Sequence, residues 1–337
     1  MLGSIAAAAH QSRIAGFIVG AIVTVVWLTN GNGDKLATTP SGLMMARLNS
    51  GEELPVISAG FWQVTPSEAT AMTPMAFAVG FSHLDTSCIG YGNEKEVGEQ
   101  LGARERSSFF LTSKLDPPTG TGWPPDVAYD KARAQLDYCK EAHQVEYFDL
   151  MLYHYPEILV GGDDAAARCK TMQEQWRAME DFQMAGFAKS IGVSNFCPSS
   201  FGCLLETARV TPAVNQILYH VGMGADPGGI KRYLDAKGIR LQAYSALGAG
   251  TTGKPRTPEL ITGDLVTSIG AKYGKSGAQV SLRWVVQHDA MLAVESTSAA
   301  HLKADLDVFD WSLSDEDMAA LDAATSPTGA YSFMCRE

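Results

Sequence analysis

From residue 56 onward, short apolar runs alternate with longer stretches in which apolar residues recur at helical spacing. We predict strands over 56–60, 82–85, 108–113, 148–153, 188–193, 212–217, 240–244 and 291–295. Helical patterns cover 66–79, 93–103, 126–142, 169–185, 198–208, 228–237, 259–273 and 277–288, and a closing helix covers 313–324, with Ser312 or Ser314 as its N-cap. Regular alternation of strand and helix on this scale predicts a (β/α)8 TIM barrel.

Two features mark the N-terminal part of the chain. The run MMARLNSGEELPVISAGFW is typical of a β-hairpin, which we expect to close the bottom of the barrel. Residues 14–28, IAGFIVGAIVTVVWL, carry no charge and would span roughly 22 Å as a helix, short of the ~30 Å hydrocarbon core. That length favours a signal-peptide core or short signal anchor over a robust membrane span, with a buried helix as the alternative.

These segments divide the chain into three parts. We expect an apolar leader or anchor with its linker over 1–42, the barrel over 43–325, and a C-terminal tail near the substrate site over 326–337. The leader predicts membrane attachment or targeting, and a cytoplasmic protein is the alternative. No N-x-[ST] sequon marks the chain as a glycosylated lumenal protein.

Composition narrows the possible partners. The 337 residues carry a net charge of −11 and no basic stripe, so we expect no nucleic-acid partner. The chain contains no cysteine or histidine cluster with zinc spacing, so we expect no metal site. The six cysteines are scattered, and in a chain of this length we expect free thiols rather than a disulfide framework. We also expect a monomer.

Polar side chains stand where six of the predicted strands end, and in a barrel these ends meet at one mouth. They are Asp85, Lys114, His154, Ser194 with Asn195, Gln216, and Tyr244 with Ser245; Tyr91 lies in the loop that follows the first of them. A lysine beside a tyrosine lowers the pKa of the phenol, and a neutral histidine can bond a substrate oxygen. Such a set protonates a developing alkoxide, while the hydride has to come from a nicotinamide cofactor.

Several long motifs in the same order resemble the aldo-keto reductase family over about residues 43–325. They are GFSHLDT…YGNEKEVG, LTSK, DLMLYHYP, SIGVSNF, PAVNQI, AYSALG, GAQVSLRWVVQ and VFDWSLSDEDM. The resemblance implies NAD(P)H-dependent reduction of an aldehyde or ketone, with Asp85, Tyr91, Lys114 and His154 as a catalytic tetrad and Tyr91 as proton donor. It further implies Ser194, Asn195 and Gln216 at the nicotinamide carboxamide, Tyr244 on the ring, Ser245 and Leu247 along the pyrophosphate, and Trp62, Phe61 and Tyr155 at the substrate.

The chain departs from the family pattern in its catalytic loop and its substrate pocket. Tyr91 stands six positions after Asp85 rather than the usual five, and Gly90 is the apparent insertion. Glycine absorbs an unusual backbone turn at little cost, so we retain Tyr91 as the proton donor. Phe61 replaces a threonine next to Trp62, which predicts a bulkier pocket wall.

The region expected to hold the 2′-phosphate of NADPH also departs from the family pattern. Glu295 stands where the family has a lysine, His301 where it has an arginine, and Asp305 where it has an asparagine, while Ser296 is kept. A carboxylate repels the phosphate but accepts well from a free ribose hydroxyl. We therefore expect NADH to be used comparably to NADPH or better. Alternatively, Glu295 faces solvent and Lys303 or Lys272 supplies the positive charge.

An alternative function follows from the same resemblance. Barrels of this family also serve as cofactor-binding partners of other proteins, including membrane proteins, so a regulatory subunit or redox sensor with little turnover is the second hypothesis. The apolar leader and the altered spacing before Tyr91 give this second hypothesis some weight. Consumption of NAD(P)H with small aldehydes, and its loss in Tyr91→Phe, distinguishes the two functions.

Overall fold

A computed structural model describes residues 36–38, 44–118, 122–156, 164–248 and 258–329. Eight parallel strands in this part form a closed barrel in the order in which they occur along the chain, with the last strand paired to the first. They are β4 (Ile57–Gly60), β5 (His83–Asp85), β6 (Phe110–Leu115), β7 (Phe148–Tyr153), β8 (Ala188–Ser194), β9 (Val214–Leu218), β10 (Arg240–Tyr244) and β11 (Met291–Val294). The predicted (β/α)8 barrel is therefore confirmed.

Helices surround the barrel close to the predicted positions. They are α1 (Pro66–Val79), α2 (Glu94–Leu101), α3 (Pro125–His143), α4 (Ala165–Met184), α5 (Pro198–Leu205), α6 (Ile230–Ala236), α7 (Glu259–Thr262), α8 (Asp264–Tyr273), α9 (Gly277–Gln287), α10 (Ala299–Leu306) and α11 (Asp315–Asp322). Ser314 caps α11, one of the two residues predicted for that role. The single helix predicted over 259–273 is two, because Gly263 has an extended backbone at the junction. Helix α10 was not predicted.

The predicted hairpin lies at the N-terminal end of the barrel. Strands β2 (Met44–Arg47) and β3 (Glu53–Pro55) pair antiparallel, and β1 (Leu36–Thr38) adds a third strand to this small sheet. In the hairpin turn, Asn49 Nδ2 donates to the Pro212 carbonyl over 3.0 Å, and the Ser50 and Ser190 hydroxyls lie 2.7 Å apart. These contacts join the hairpin to the starts of β9 and β8, so it closes the bottom of the barrel.

The hydrophobic core fills the layer between the strands and the helices. Phe148 of β7 packs on Phe182 of α4 at a ring distance of 6.4 Å, and both are fully buried. On the other side, Trp284 of α9 stacks on Tyr219, just after β9, at 4.8 Å. This packing fixes each strand against its helix and so places the strand ends accurately.

The expected apolar leader at 14–28 lies outside the described residues. Within the ranges given above, no helix combines the length and the apolar character needed to span a bilayer. Membrane attachment through 14–28 stays a prediction.

The expectation of free thiols was wrong. Cys88 is joined to Cys139 of α3, with the two Cα atoms 4.7 Å apart, and Cys169 of α4 is joined to Cys203 of α5, with a Cα distance of 5.7 Å. Both distances are in the range that a disulfide requires. Each bond links segments that are distant in sequence, so the spacing of the cysteines along the chain could not indicate the pairing.

Candidate active site

A cavity of about 420 Å³ opens at the C-terminal ends of the barrel strands. The lining includes twelve of the residues that were predicted from the sequence to belong to the site: Trp62, Asp85, Tyr91, His154, Tyr155, Ser194, Asn195, Gln216, Tyr244, Ser245, Leu247 and Glu295. Polar strand ends that are scattered along the sequence thus converge on one mouth, as a parallel barrel requires.

Lys114 lies behind the cavity wall and connects two of these residues. Its side chain is fully buried, and its ammonium group forms an ion pair with Asp85. The same nitrogen lies 3.0 Å from the Tyr91 hydroxyl and donates to the Thr86 carbonyl over 2.7 Å. The buried ammonium is therefore neutralised by one carboxylate while it contacts the phenol.

The loop that carries Tyr91 is held by the start of helix α2. Glu94 is buried, and its carboxylate accepts from the backbone N–H groups of Tyr91 and Gly92 at 3.1 and 3.0 Å. The Asn93 amide donates to the carbonyls of Phe61 and Val64 at 2.9 and 2.7 Å. These bonds explain how a loop with an additional residue still directs its tyrosine toward Lys114.

Asp116, which was not predicted from the sequence, holds the other half of this loop. Its Oδ2 accepts from the Ser87 hydroxyl and from the backbone N–H groups of Cys88, Ile89 and Gly90, the last three at 3.1–3.2 Å. A Cβ atom added at Gly90 would lie 2.7 Å from Asp116 Oδ1. Glycine is therefore required by the close approach of Asp116.

The same carboxylate bonds His154. The Nδ1 of His154 donates to Asp116 Oδ1, and the imidazole stacks on Tyr155 with the ring centroids 3.9 Å apart. Burial lowers the pKa of His154, and the positive charge of Lys114 lowers it further. The Asp116 carboxylate raises this pKa but does not outweigh burial. Burial opposes ionisation of Asp116, yet attraction from His154 and the hydrogen bonds from His154, Ser87 and Ile89 lower its pKa. The pair is thus a carboxylate and a neutral imidazole at pH 7.

The expected lowering of the Tyr91 pKa was wrong. Burial raises the pKa of Tyr91 well above its usual value, and the Asp85 carboxylate acts in the same direction. Because Lys114 is already paired with that carboxylate, its charge does not favour the phenolate enough to overcome desolvation. Tyr91 therefore remains a protonated phenol throughout the neutral range.

The residues expected at a carboxamide lie together on the far side of the cavity. The Tyr244 hydroxyl donates to Asn195 Oδ1 over 2.8 Å, and Asn195 Nδ2 lies 3.1 Å from the Ser194 hydroxyl. Ser194 donates to the backbone carbonyl of Gln216, and the Gln216 amide donates to Asp85 over 2.6 Å. The network fixes one aromatic face beside a group of amide and hydroxyl side chains.

The three residues expected to contact substrate fall into two groups. Trp62 and Tyr155 line the cavity, and Trp62 keeps 38% of its surface exposed at the mouth. Phe61 is fully buried in the core and is absent from the cavity lining. Neighbouring side chains of an extended segment point to opposite sides, so only one of the pair 61 and 62 reaches the cavity. The prediction that Phe61 forms a bulkier pocket wall was wrong.

Comparison with known proteins places this arrangement in a family. The family model described as "Aldo/keto reductase family" matches residues 47–326. The chain belongs to the aldo-keto reductase family. Membership implies NAD(P)H-dependent reduction of carbonyl compounds.

Relatives of this aldo-keto reductase cover nearly the whole barrel. The chain is 32% identical over 301 residues to "Aldo-keto reductase family 1 member A1" of Homo sapiens, covering 82% of this chain and 87% of that one. It is 30% identical over 283 residues to an "Aldo-keto reductase" of Mycobacterium sp. (strain JLS), with coverages of 83% and 92%. Among solved structures, MGS-M4, an aldo-keto reductase enzyme from a deep-sea metagenome library, superimposes with a TM-score of 0.73 at 27% identity, covering 87% and 99%.

The residues of this aldo-keto reductase fit a nicotinamide ring. Tyr244 offers a flat aromatic face whose hydroxyl is fixed by Asn195, and the Ser194, Asn195 and Gln216 side chains supply partners for a carboxamide. Ser245 and Leu247 continue the lining toward Glu295. The cavity lining therefore extends from the tetrad to Glu295, in the region where we expect the adenosine end of the cofactor.

Residues 295–305, where the sequence predicts the adenosine end of the cofactor, lead into helix α10. Ser298 caps the helix, and its hydroxyl accepts from the His301 N–H over 3.4 Å. The Ser296 hydroxyl lies 3.5 Å from His301 Nδ1, so the serine and the histidine face each other. Asp305 is buried one turn further along the helix. Of the sequence-predicted residues here, Glu295 alone lines the cavity, and Ser296, His301 and Asp305 lie beyond it.

Proposed function

We propose that this protein reduces an aldehyde or a ketone to the alcohol, with Tyr91 as the proton donor. The observation that carries the proposal is the Tyr91 hydroxyl at the cavity wall, 3.0 Å from the buried Lys114 ammonium. A nicotinamide cofactor held beside Tyr244, Asn195 and Gln216 would supply the hydride for the carbonyl carbon. The Tyr91 hydroxyl gives its proton to the carbonyl oxygen, and Lys114 stabilises the negative charge that this leaves on the phenol oxygen.

The other two members of the tetrad act on this pair. Asp85 neutralises Lys114 and also accepts from Gln216, so it holds the ammonium group in place beneath Tyr91. His154 lines the cavity, and its ring forms a T-shaped contact with the Tyr91 ring at a centroid distance of 6.1 Å. It is placed to contact the substrate next to the reacting oxygen.

We also propose that NADH serves this protein comparably to NADPH or better. Glu295 lines the cavity, and the family resemblance expects a cation at this position to bind a 2′-phosphate. Lys272, one alternative source of positive charge, bonds Asp317 of α11 over 2.5 Å. Lys303 is exposed and two residues beyond His301 on α10, so it projects from a different side of that helix. These placements support a site that selects against the phosphate.

The test of this function is consumption of NADH and NADPH with a panel of small aldehydes and ketones. Turnover by the wild type that is lost in Tyr91→Phe, with cofactor binding retained, supports the reductase. A wild type that binds cofactor and is inert across the panel supports the regulatory-subunit alternative instead. A strong preference for NADPH in catalytic efficiency would contradict the proposed cofactor choice.

A further inference from the structure

Hydrogen bonds hold both the side chain and the backbone of Asp116. Its side chain is buried, and its backbone is clamped by Gln135 of α3, which accepts from the Asp116 N–H over 2.5 Å and donates to the Asp116 carbonyl over 2.8 Å. Three backbone N–H groups and a hydroxyl, all from the loop that leads to Tyr91, are directed at Oδ2. Only Oδ1 is left for His154.

This arrangement determines which nitrogen of His154 carries the hydrogen. An ionised carboxylate can only accept, so the Nδ1 that contacts it is the protonated nitrogen. In a neutral imidazole the other nitrogen then has a lone pair and accepts hydrogen bonds. Because Nδ1 points to Asp116 and His154 lines the cavity, Nε2 is the nitrogen presented to the substrate. Within the described residues, Nε2 has no hydrogen-bond partner that would compete for it.

We propose that Asp116 is a positioning residue that fixes the Nδ1–H tautomer of His154, so that the site selects carbonyl substrates with a hydrogen-bond donor beside the reacting carbon. The inference rests on the proposed reductase function. The Tyr91 hydroxyl donates to the carbonyl oxygen, and the His154 ring contacts the Tyr91 ring, so the atom bound by Nε2 is a neighbour of that oxygen. A hydroxyl on the adjacent carbon donates to Nε2. An ether or carbonyl oxygen at that place cannot donate, so it faces the Nε2 lone pair without forming a hydrogen bond.

The substitution Asp116→Asn should reverse the preference for a hydrogen-bond donor on the substrate while it keeps the hydrogen bonds that hold the loop. Four donors converge on Oδ2, so the amide oxygen takes that position and the amide NH₂ faces His154. The NH₂ group donates to Nδ1, and the hydrogen of the neutral imidazole moves to Nε2. The cavity then presents a donor where it had an acceptor, with nearly the same shape.

The experiment compares hydroxyacetone with methoxyacetone, which keeps the oxygen and lacks the donor. We divide kcat/KM for hydroxyacetone by kcat/KM for methoxyacetone. We expect Asp116→Asn to lower this ratio by roughly 10- to 100-fold, the usual cost of a mispaired buried polar group. The change in the ratio is diagnostic because the cavity size is the same in both proteins. Asp149→Asn is the matched control: Asp149 is equally buried, bonds Arg106 and Lys189 at the opposite end of the barrel, and leaves the ratio unchanged.

Nitrogen-15 NMR of the wild-type protein reads the tautomer directly and does not depend on the stability of any variant. The His154 signals are assigned by their loss in His154→Gln. A protonated Nδ1 and an unprotonated Nε2 support the proposal, and the reverse pattern overturns it. A ratio that Asp116→Asn leaves unchanged in an active enzyme also overturns it. If the wild type reduces no carbonyl compound, the reductase function fails, and the NMR result still decides the role of Asp116.

Discussion

The Tyr91 hydroxyl lies 3.0 Å from Lys114 Nζ even though the loop before Tyr91 is one residue longer than the family pattern. The length is accommodated by two carboxylates, since Asp116 holds residues 87–90 and Glu94 holds residues 91 and 92. The loop is therefore shaped by buried acceptors on neighbouring elements.

Substitution Gly90→Ala tests the close approach of the loop to Asp116. The added Cβ would lie 2.7 Å from Asp116 Oδ1 and 2.9 Å from the Ser87 hydroxyl, so the loop or the carboxylate has to shift. We expect a loss of about 1–3 kcal/mol in unfolding free energy and a lower kcat. The control is Gly202→Ala on helix α5, where nothing lies within 4 Å of the added atom. Denaturant unfolding and steady-state rates measure both; equal stability of the two variants would contradict the account.

The double substitution Cys88→Ala with Cys139→Ala removes the disulfide that ties the Tyr91 loop to α3. Closing a loop of this size stabilises the folded protein by about 2–4 kcal/mol, so both this variant and the matched Cys169→Ala with Cys203→Ala lose stability. Only the first variant lacks the disulfide next to the catalytic loop, so only the first should also lower kcat. Thermal unfolding and turnover at a temperature where both variants are folded separate the two effects. A fall in kcat in the second variant alone would argue against this role.

Much of the barrel was predictable because strand and helix alternate regularly and polar residues end the strands. The role of Asp116 was not predictable, because it lies in an ordinary Leu-Asp-Pro sequence two residues after Lys114. Its partners come from the loop before Tyr91 and from His154 at the end of β7. The disulfides depend on which helix packs beneath which loop, which the spacing of cysteines does not encode. Helix α10 was missed because it is short and begins at Ala299, inside a run assigned to the cofactor. Phe61 was assigned to the substrate pocket, but the side to which its side chain points depends on where β4 ends.

Buried His143 predicts how stability changes with pH. Burial lowers its pKa from the usual 6.5 to about 4, and the ring bonds Thr86 and the Cys139 carbonyl beneath the loop. Between pH 6.5 and about 4 the unfolded chain binds a proton there that the folded protein does not, so stability falls as pH falls through this window. We expect His143→Gln to reduce the loss of unfolding free energy between pH 7.5 and pH 5 by about 1–2 kcal/mol. Identical losses in the two proteins would contradict this.

Substitution Glu295→Lys tests the cofactor site. A cation on the cavity lining attracts the 2′-phosphate, so the ratio of kcat/KM with NADPH to that with NADH should rise roughly 10- to 100-fold. Glu295→Gln, which removes the charge without adding a cation, should give a smaller increase. The rise should shrink at high salt, because the gain is electrostatic. A wild type that already prefers NADPH strongly would contradict the role given to Glu295.

The rate of a single turnover in Tyr91→Phe tests the central claim most directly. The variant keeps the ring in place and removes only the hydroxyl that faces Lys114. Cofactor-bound enzyme is mixed with an aldehyde that the wild type reduces, and oxidation of the cofactor is followed in one turnover, with cofactor affinity measured beside it. We predict a rate lower by roughly 100-fold or more with unchanged cofactor affinity, since a positioned proton donor contributes about that factor. A single-turnover rate equal to that of the wild type would show that Tyr91 is not the proton donor.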